Sequence, residues 1–91
     1  MSDLTIKELT EQMHALVKSK GWYEADSKRP QTPRNLAVSL SIEAAEILEH
    51  FQFTEEIKDR EELGSELADV MLYLLQLASV SEIDLEDAVL K

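Results

Sequence analysis

Residues 39–51 read SLSIEAAEILEHF, residues 63–75 read LGSELADVMLYLL, and these two apolar segments decide the fold of the chain. Each segment has helical hydrophobic spacing and contains two acids three positions apart. The pairs are Glu43 with Glu46, and Glu66 with Asp69. At about 100° per residue, the two acids of a pair share one helix face. Aliphatic residues flank the pairs, among them Val38 and Ile42, so we expect the acids in the buried stripe of each helix.

A divalent metal ion would explain acids in that position. Burying an unpaired carboxylate is costly, and four like charges cannot all stay ionised together unless a cation neutralises them. Packed antiparallel, the two helices would aim the four carboxylates at a common point, as in other bundle metal sites. Oxygen ligands without a histidine at a fixed ligand spacing favour Mg²⁺ or Mn²⁺ over zinc. The predicted ligands are Glu43, Glu46, Glu66 and Asp69.

Hydrophobic periodicity around these segments predicts an all-α, four-helix-bundle-type fold in a single domain, residues 1–91. Helices are expected over about 4–20, 34–52 and 61–80, with a short fourth helix after residue 84. The segments 22–33 and 53–60 lack the periodicity and are expected to be a proline-containing loop and a charged connector.

Capping residues mark the expected helix ends. Ser2 or Asp3 can cap the first helix, and Gly21 is expected to end it. Thr32 is a suitable cap for the second helix, because a proline follows it in the first turn. Asp84 has the spacing of a cap for the last helix.

Composition limits the classes of partner. The formal net charge of −10 argues against nucleic-acid binding, since phosphate contact needs a basic face. A polyanionic substrate would need a metal ion to mediate its binding. The N-terminal stretch is polar and acidic, and no apolar run approaches the roughly 18 residues of a membrane span. We therefore expect a cytoplasmic protein that binds neither nucleic acid nor membrane.

Other residues carry weaker signals. Tyr73 follows Asp69 by one helical turn, so its ring would border the metal site and could stack on a base. Trp22 and His14 are each explained as well by simple packing. Two assignments remain open for Glu49: it could support the metal ligands, or it could be a surface residue. The acids at 55, 56, 59, 61 and 62 are expected to be a solvated run.

A magnesium site of this kind would serve phosphoryl chemistry. The bound ion would clamp phosphate oxygens and hold a water for attack. One of the four carboxylates would then act as general base, and the sequence leaves open which one.

Three stretches together resemble a known family: TPRNLAVSLSIEAAEILEHFQF (32–53), ELADVMLYLLQLA (66–78) and DLEDAVLK (84–91). They are similar to the MazG-like all-α nucleoside triphosphate pyrophosphohydrolases, and among these to the small deoxycytidine triphosphate pyrophosphatase branch. The resemblance begins at MHALVKSKGW (13–22) and covers nearly the whole chain. It implies Mg²⁺-dependent cleavage between the α and β phosphates, which releases a nucleoside monophosphate and pyrophosphate.

The resemblance also implies roles for individual residues. The family's metal-binding and catalytic acids correspond to the four acids already selected from spacing. Its nucleotide-binding positions correspond to His14, Trp22, Asn35, Phe53 and Tyr73. Phe53 stands where that branch usually has tryptophan, and Ile42 precedes the first acid, as it tends to in the deoxycytidine branch.

Two further expectations concern phosphate binding and assembly. Relatives continue past the position of Lys91 with a basic tail that can hold the triphosphate. Three explanations are open: the natural protein is short, this sequence is trimmed, or phosphate binding falls to Lys91, Arg34 and neighbouring subunits. The resemblance implies a homodimer or a tetramer built from dimers, and we expect the tetramer. The many large aliphatics on the third helix agree, because three and a half helices cannot cover them.

Three functions are compatible with the residues, and the resemblance favours the first. The first is an enzyme that removes surplus or non-standard deoxynucleotides, with dCTP-like substrates favoured. The second is a metal-holding helical protein that senses nucleotides or scaffolds partners without turnover. The third is an interaction bundle on which the acids form a solvent-facing stripe.

Overall fold

The chain folds into helices joined by irregular segments, and the described part, residues 3–91, contains no strand. The helices in this computed structural model are α1 (Ile6–Ser19), α2 (Pro33–Glu49), α3 (Arg60–Val80) and α4 (Leu85–Leu90). The predicted all-α class is therefore confirmed. The largest difference is at the end of α2, where the His50 and Phe51 amides donate to carbonyls three residues back, which tightens the last turn and ends the helix early.

The cap of α1 differs from the prediction. Thr5 is the N-cap: its hydroxyl accepts a hydrogen bond of 3.1 Å from the amide of Glu8, and the Glu8 carboxylate accepts one of 3.4 Å from the amide of Thr5. This capping box satisfies amide groups that the helix itself leaves free. Asp3 is exposed and precedes the cap, and Ser2 lies outside the described residues.

Three other helix ends are as the sequence predicted. Gly21 follows α1 with a φ of 73°, a left-handed conformation that glycine adopts without strain. Thr32 caps α2 by accepting from the amide of Asn35, and Asp84 caps α4 by accepting from the amide of Asp87.

The helix α3 lies at the centre and packs against both α1 and α2. Gln31, just before α2, is hydrogen-bonded to Gln76 near the end of α3. His50, just after α2, is hydrogen-bonded to Glu66 near the start of α3. The two helices therefore run antiparallel, and their acid-bearing middle sections face each other. The buried hydrophobic residues are Met13, Val17, Leu36, Leu75 and Ala78.

We expected no apolar run close to the length of a membrane span, but by length and composition α3 is a candidate for one. An 18-residue window within it has a mean hydropathy of 1.3, which by length and composition alone would suit a membrane span. Such a helix is weak evidence of a membrane, because the core helix of a soluble protein passes the same test. Within the chain 22% of the window is buried, most of the other residues of α3 are half-buried, and Leu67 is 51% exposed.

The capping box predicts the effect of one substitution on stability. Thr5→Ala should lower the free energy of unfolding by about 1 kcal/mol, because the Glu8 amide loses the hydroxyl that accepts its hydrogen bond and the Glu8 carboxylate loses the hydroxyl that orients it. Thermal and urea unfolding followed by circular dichroism would measure the loss. Asp3→Ala is the control and should change stability by less than about 0.5 kcal/mol. A larger effect of Asp3→Ala than of Thr5→Ala would contradict the assignment of the cap.

Candidate functional site

The antiparallel packing of α2 and α3 brings the two acid pairs towards each other. All four acids are half-buried: Glu43, Glu46, Glu66 and Asp69. The flanking residues are less uniformly covered than we expected. Leu36 is buried, but Val38 and Ile42 expose 52% and 57% of their surface. The acids, in contrast, lie at the contact between the two helices, since acids of both helices act on Glu43.

Glu43 is the most constrained of the four acids. Burial raises its pKa above the ordinary value of 4.5, and the charge of Glu46 raises it further, together with a hydrogen bond between the two carboxyl groups. The charges of Asp69 and Glu66 act in the same direction. One oxygen of Glu43, Oε2, is buried and has no hydrogen-bond partner. A buried carboxylate oxygen has no hydrogen-bond partner here, and three other acids lie close to it. A cation would fit at this position.

Next to these acids lies a cluster that sequence reasoning did not select. Potential ligand atoms of His50, Glu62 and Glu66 all lie within 4.8 Å of one another. The Nε2 atom of His50 is 2.5 Å from Oε2 of Glu66, and with its proton on Nε2 the imidazole donates this hydrogen bond. Glu46 and Glu49 line the same small depression. The imidazole extends the possible ligands beyond oxygen, towards metals such as Zn²⁺.

Two expectations change because of this cluster. Glu62 is exposed, as we predicted, but it belongs to a group of potential ligands and is not simply part of a solvated run. Glu49 remains exposed yet borders the depression, which places it beside the acids. Helical spacing gives only part of this cluster: Glu62 precedes Glu66 by four residues on α3, whereas His50 comes from the end of α2.

A cavity of about 270 Å³ lies between α2, α3 and the segment that joins α1 to α2. It is lined by Trp22, Lys28, Arg29, Pro30, Gln31, Asn35, Leu36, Val38, Ser39 and Tyr73. The guanidinium carbon of Arg29 lies 5.0 Å from the centre of the Trp22 ring, a cation–π distance. The side-chain amide of Asn35 donates a hydrogen bond of 3.0 Å to the carbonyl of Pro30.

The resemblance assigns five residues to nucleotide binding. Three of them line this cavity: Trp22, Asn35 and Tyr73. The other two lie elsewhere in the single chain. His14 is hydrogen-bonded to the Tyr23 hydroxyl and, at 2.7 Å, to the Ser79 hydroxyl. Phe53 lies in the connector before α3 and is 92% exposed.

Residues 31–91 match the MazG nucleotide pyrophosphohydrolase domain. The chain belongs to this family. A pyrophosphatase from Archaeoglobus fulgidus is similar in structure, with a TM-score of 0.79 and 37% identity over 98% of this chain and 85% of that one.

Two curated relatives are also similar. The dCTP pyrophosphatase 1 proteins of Mus musculus and Rattus norvegicus are each 36% identical to this member of the MazG family over 76 residues, covering 74% of this chain. The match spans only 45% of the length of either relative.

The raised pKa of Glu43 predicts how the metal-free protein responds to pH. The folded protein holds this proton more tightly than the unfolded chain does, so ionising Glu43 costs stability. The cost is absent below about pH 4.5 and is complete above the raised pKa. In the presence of a chelator, Glu43→Gln should therefore gain stability relative to the unmodified protein as pH rises from 4.5 to 8.

Thermal unfolding across this pH range would measure the difference between the two proteins. Glu55→Gln, which changes the same charge in the exposed connector, should show a constant difference. A constant difference for Glu43→Gln as well would mean that Glu43 is not under electrostatic strain.

Proposed function

We propose that the chain is a divalent-metal-dependent nucleoside triphosphate pyrophosphohydrolase that converts a (d)NTP into the (d)NMP and pyrophosphate. The observation that carries this proposal is the buried, unpaired oxygen of Glu43 facing three other acids within a MazG-family fold. The names of the two curated relatives favour deoxynucleotides such as dCTP. Removal of surplus or non-standard nucleotides is the cellular role that we propose for such an activity.

Glu43, Glu46, Glu66 and Asp69 would hold Mg²⁺, or Mn²⁺ in its place. When bound, the ion would offset phosphate charge and lower the pKa of a coordinated water. The hydrogen bond from His50 fixes one oxygen of Glu66, and ligating carboxylates are generally oriented by such partners. A carboxylate oxygen that is not occupied as a ligand would accept the proton of the attacking water.

The cavity would take the nucleoside. Its volume of about 270 Å³ lies just under the usual range for small-molecule sites, roughly 300–1,000 Å³, so the phosphates would extend beyond it. Tyr73 lines the cavity and follows Asp69 by one turn of α3, so the cavity lies next to the acids. Trp22 and Tyr73 offer aromatic faces for a base, and Asn35 a polar group.

Pyrophosphate release from all common dNTPs and NTPs, with Mg²⁺, with Mn²⁺ and with a chelator, tests the activity. We expect metal-dependent release that favours deoxynucleotides. Glu66→Gln and Asp69→Asn should each lower kcat by roughly 100-fold or more, because metal charge stabilisation is worth several kcal/mol. Glu55→Gln, an exposed acid in the connector, should retain full activity.

Thermal stability separates the alternatives. A true site should raise the free energy of unfolding by about 2.7 kcal/mol when free Mg²⁺ is 100 times its Kd. Metal-induced stabilisation and nucleotide binding without pyrophosphate release would mean a nucleotide sensor. No response to Mg²⁺ or Mn²⁺ would leave the acids as a surface charge stripe.

We also propose that the protein assembles as a homo-oligomer, with a tetramer as the expected state. The outer face of α2 exposes Val38, Ile42 and Leu48, which lie within about 120° of one another on the helix. Exposed apolar patches of this kind mark interaction surfaces. In such an assembly the exposed ring of Phe53 would be free to contact a nucleotide bound by a neighbouring subunit.

The outer face of α2 predicts the effect of one substitution on assembly. Ile42→Glu should dissociate the oligomer, because it places a charge in the middle of the apolar face. Sedimentation velocity or light scattering would measure the mass. Gln12→Glu adds the same charge on the exposed side of α1 and should leave the mass unchanged. An Ile42→Glu protein of unchanged mass would place the interface elsewhere.

A further inference from the structure

Gln76 is a polar residue in the core of the described chain. Its side chain is only 3% exposed, and it lies on α3 three residues beyond Tyr73. A buried amide is costly unless its donor and acceptor groups find partners. A leucine of similar size would pack at this position without that requirement, so the contacts of the amide need an explanation.

The amide of Gln76 holds the segment that joins α1 to α2. Its Nε2 donates a hydrogen bond of 2.6 Å to Oε1 of Gln31, and Nε2 of Gln31 donates one of 2.5 Å to the carbonyl of Arg29. Both ends of the Gln31 side chain are thereby engaged.

This joining segment, residues 20–32, forms one wall of the cavity through Trp22 and residues 28–31. Most of its own backbone bonds are local: the amides of Glu24 and Ser27 donate to carbonyls three residues back. Without a regular helix or strand, such a segment depends on side-chain contacts for its position. The bond between Gln31 and Gln76 joins it to α3 across 45 positions of sequence.

We propose that Gln76 is a positioning residue for nucleotide binding. Its hydrogen bond holds Gln31 in place. It thereby sets the distance between Trp22 on one wall of the cavity and the ring of Tyr73 on the opposite wall. This inference rests on the proposed function and adds a residue to its binding site. Gln76 lies two helical turns beyond Asp69 on α3, about 10 Å along the helix, and its amide contacts the joining segment and none of the four acids. Its role therefore concerns the affinity for the nucleoside and not the cleavage step.

Kinetics of two single variants and the double variant test the proposal. Gln76→Leu and Gln31→Leu should each raise the KM for the preferred dNTP about tenfold, with kcat within about twofold, because a hydrogen bond that orders the site is lost. The double variant should be no worse than the poorer single variant, since both remove the same bond. Gln12→Leu, an exposed glutamine on α1, is the control and should change neither constant.

Fluorescence of Trp22, the only tryptophan in the chain, gives a second readout that does not need turnover. Titration with a non-hydrolysable dNTP analogue in Mg²⁺ should show a Kd raised about tenfold in both variants. Gln31 lies in the joining segment and outside the core, so its variant keeps the test valid even where Gln76→Leu fails to fold.

Three results would overturn the positioning role. One is an unchanged KM and Kd in Gln31→Leu, and another is a fall in kcat with KM unchanged. The third is full additivity in the double variant, which would mean that the two glutamines act separately. A wild-type protein that binds the analogue but releases no pyrophosphate would refute the proposed catalysis alone, and the Kd comparison would still decide the role of Gln76.

Discussion

The contact between α2 and α3 places carboxylates from both helices together, and the repulsion among these groups is the constraint on which the rest of the site depends. The repulsion acts on Glu43 in particular: burial and three neighbouring acids raise its pKa, and one of its carboxylate oxygens has no hydrogen-bond partner. The hydrogen bond from His50 orients Glu66. Buried charges rarely improve stability over apolar packing, and the proposed cation would account for the acids between these helices.

The helix α3 couples this charged contact to the neighbouring cavity. Asp69, Tyr73 and Gln76 follow one another at helical spacing, so an acid, an aromatic ring and an anchoring amide are held by one rigid element. The opposite wall of the cavity comes from an irregular segment, residues 20–32. Its position therefore depends on particular hydrogen bonds, and the bond from Gln76 to Gln31 is the longest-range of those that reach it in the described chain.

A small core shapes the remaining surface. Five hydrophobic residues of the described chain are buried, while large aliphatics on α2 and α3 stay exposed. A chain of 91 residues is near the lower limit for independent stability. Metal binding and self-association are both ways in which such a chain gains stability, and the proposed function uses both.

Local features of the sequence determined the helices and their ends. Periodicity located α2 and α3, and Thr32, Asp84 and Gly21 act on neighbouring residues, so their roles follow from spacing alone. The cap of α1 was misplaced because several polar residues precede that helix, although Thr5 and Glu8 have capping-box spacing. Acid pairs at helical spacing likewise indicated a metal site without any tertiary information.

Only the tertiary structure decided which residues meet across helices. The cluster of His50 with Glu62 and Glu66, and the pairing of Gln76 with Gln31, depend on how α2 and the joining segment lie against α3. The same packing exposes Val38 and Ile42, which periodicity had placed beside the buried acids. The physical reason is that spacing along one helix gives the direction of each side chain, whereas its partners depend on the register and rotation of the packed helices.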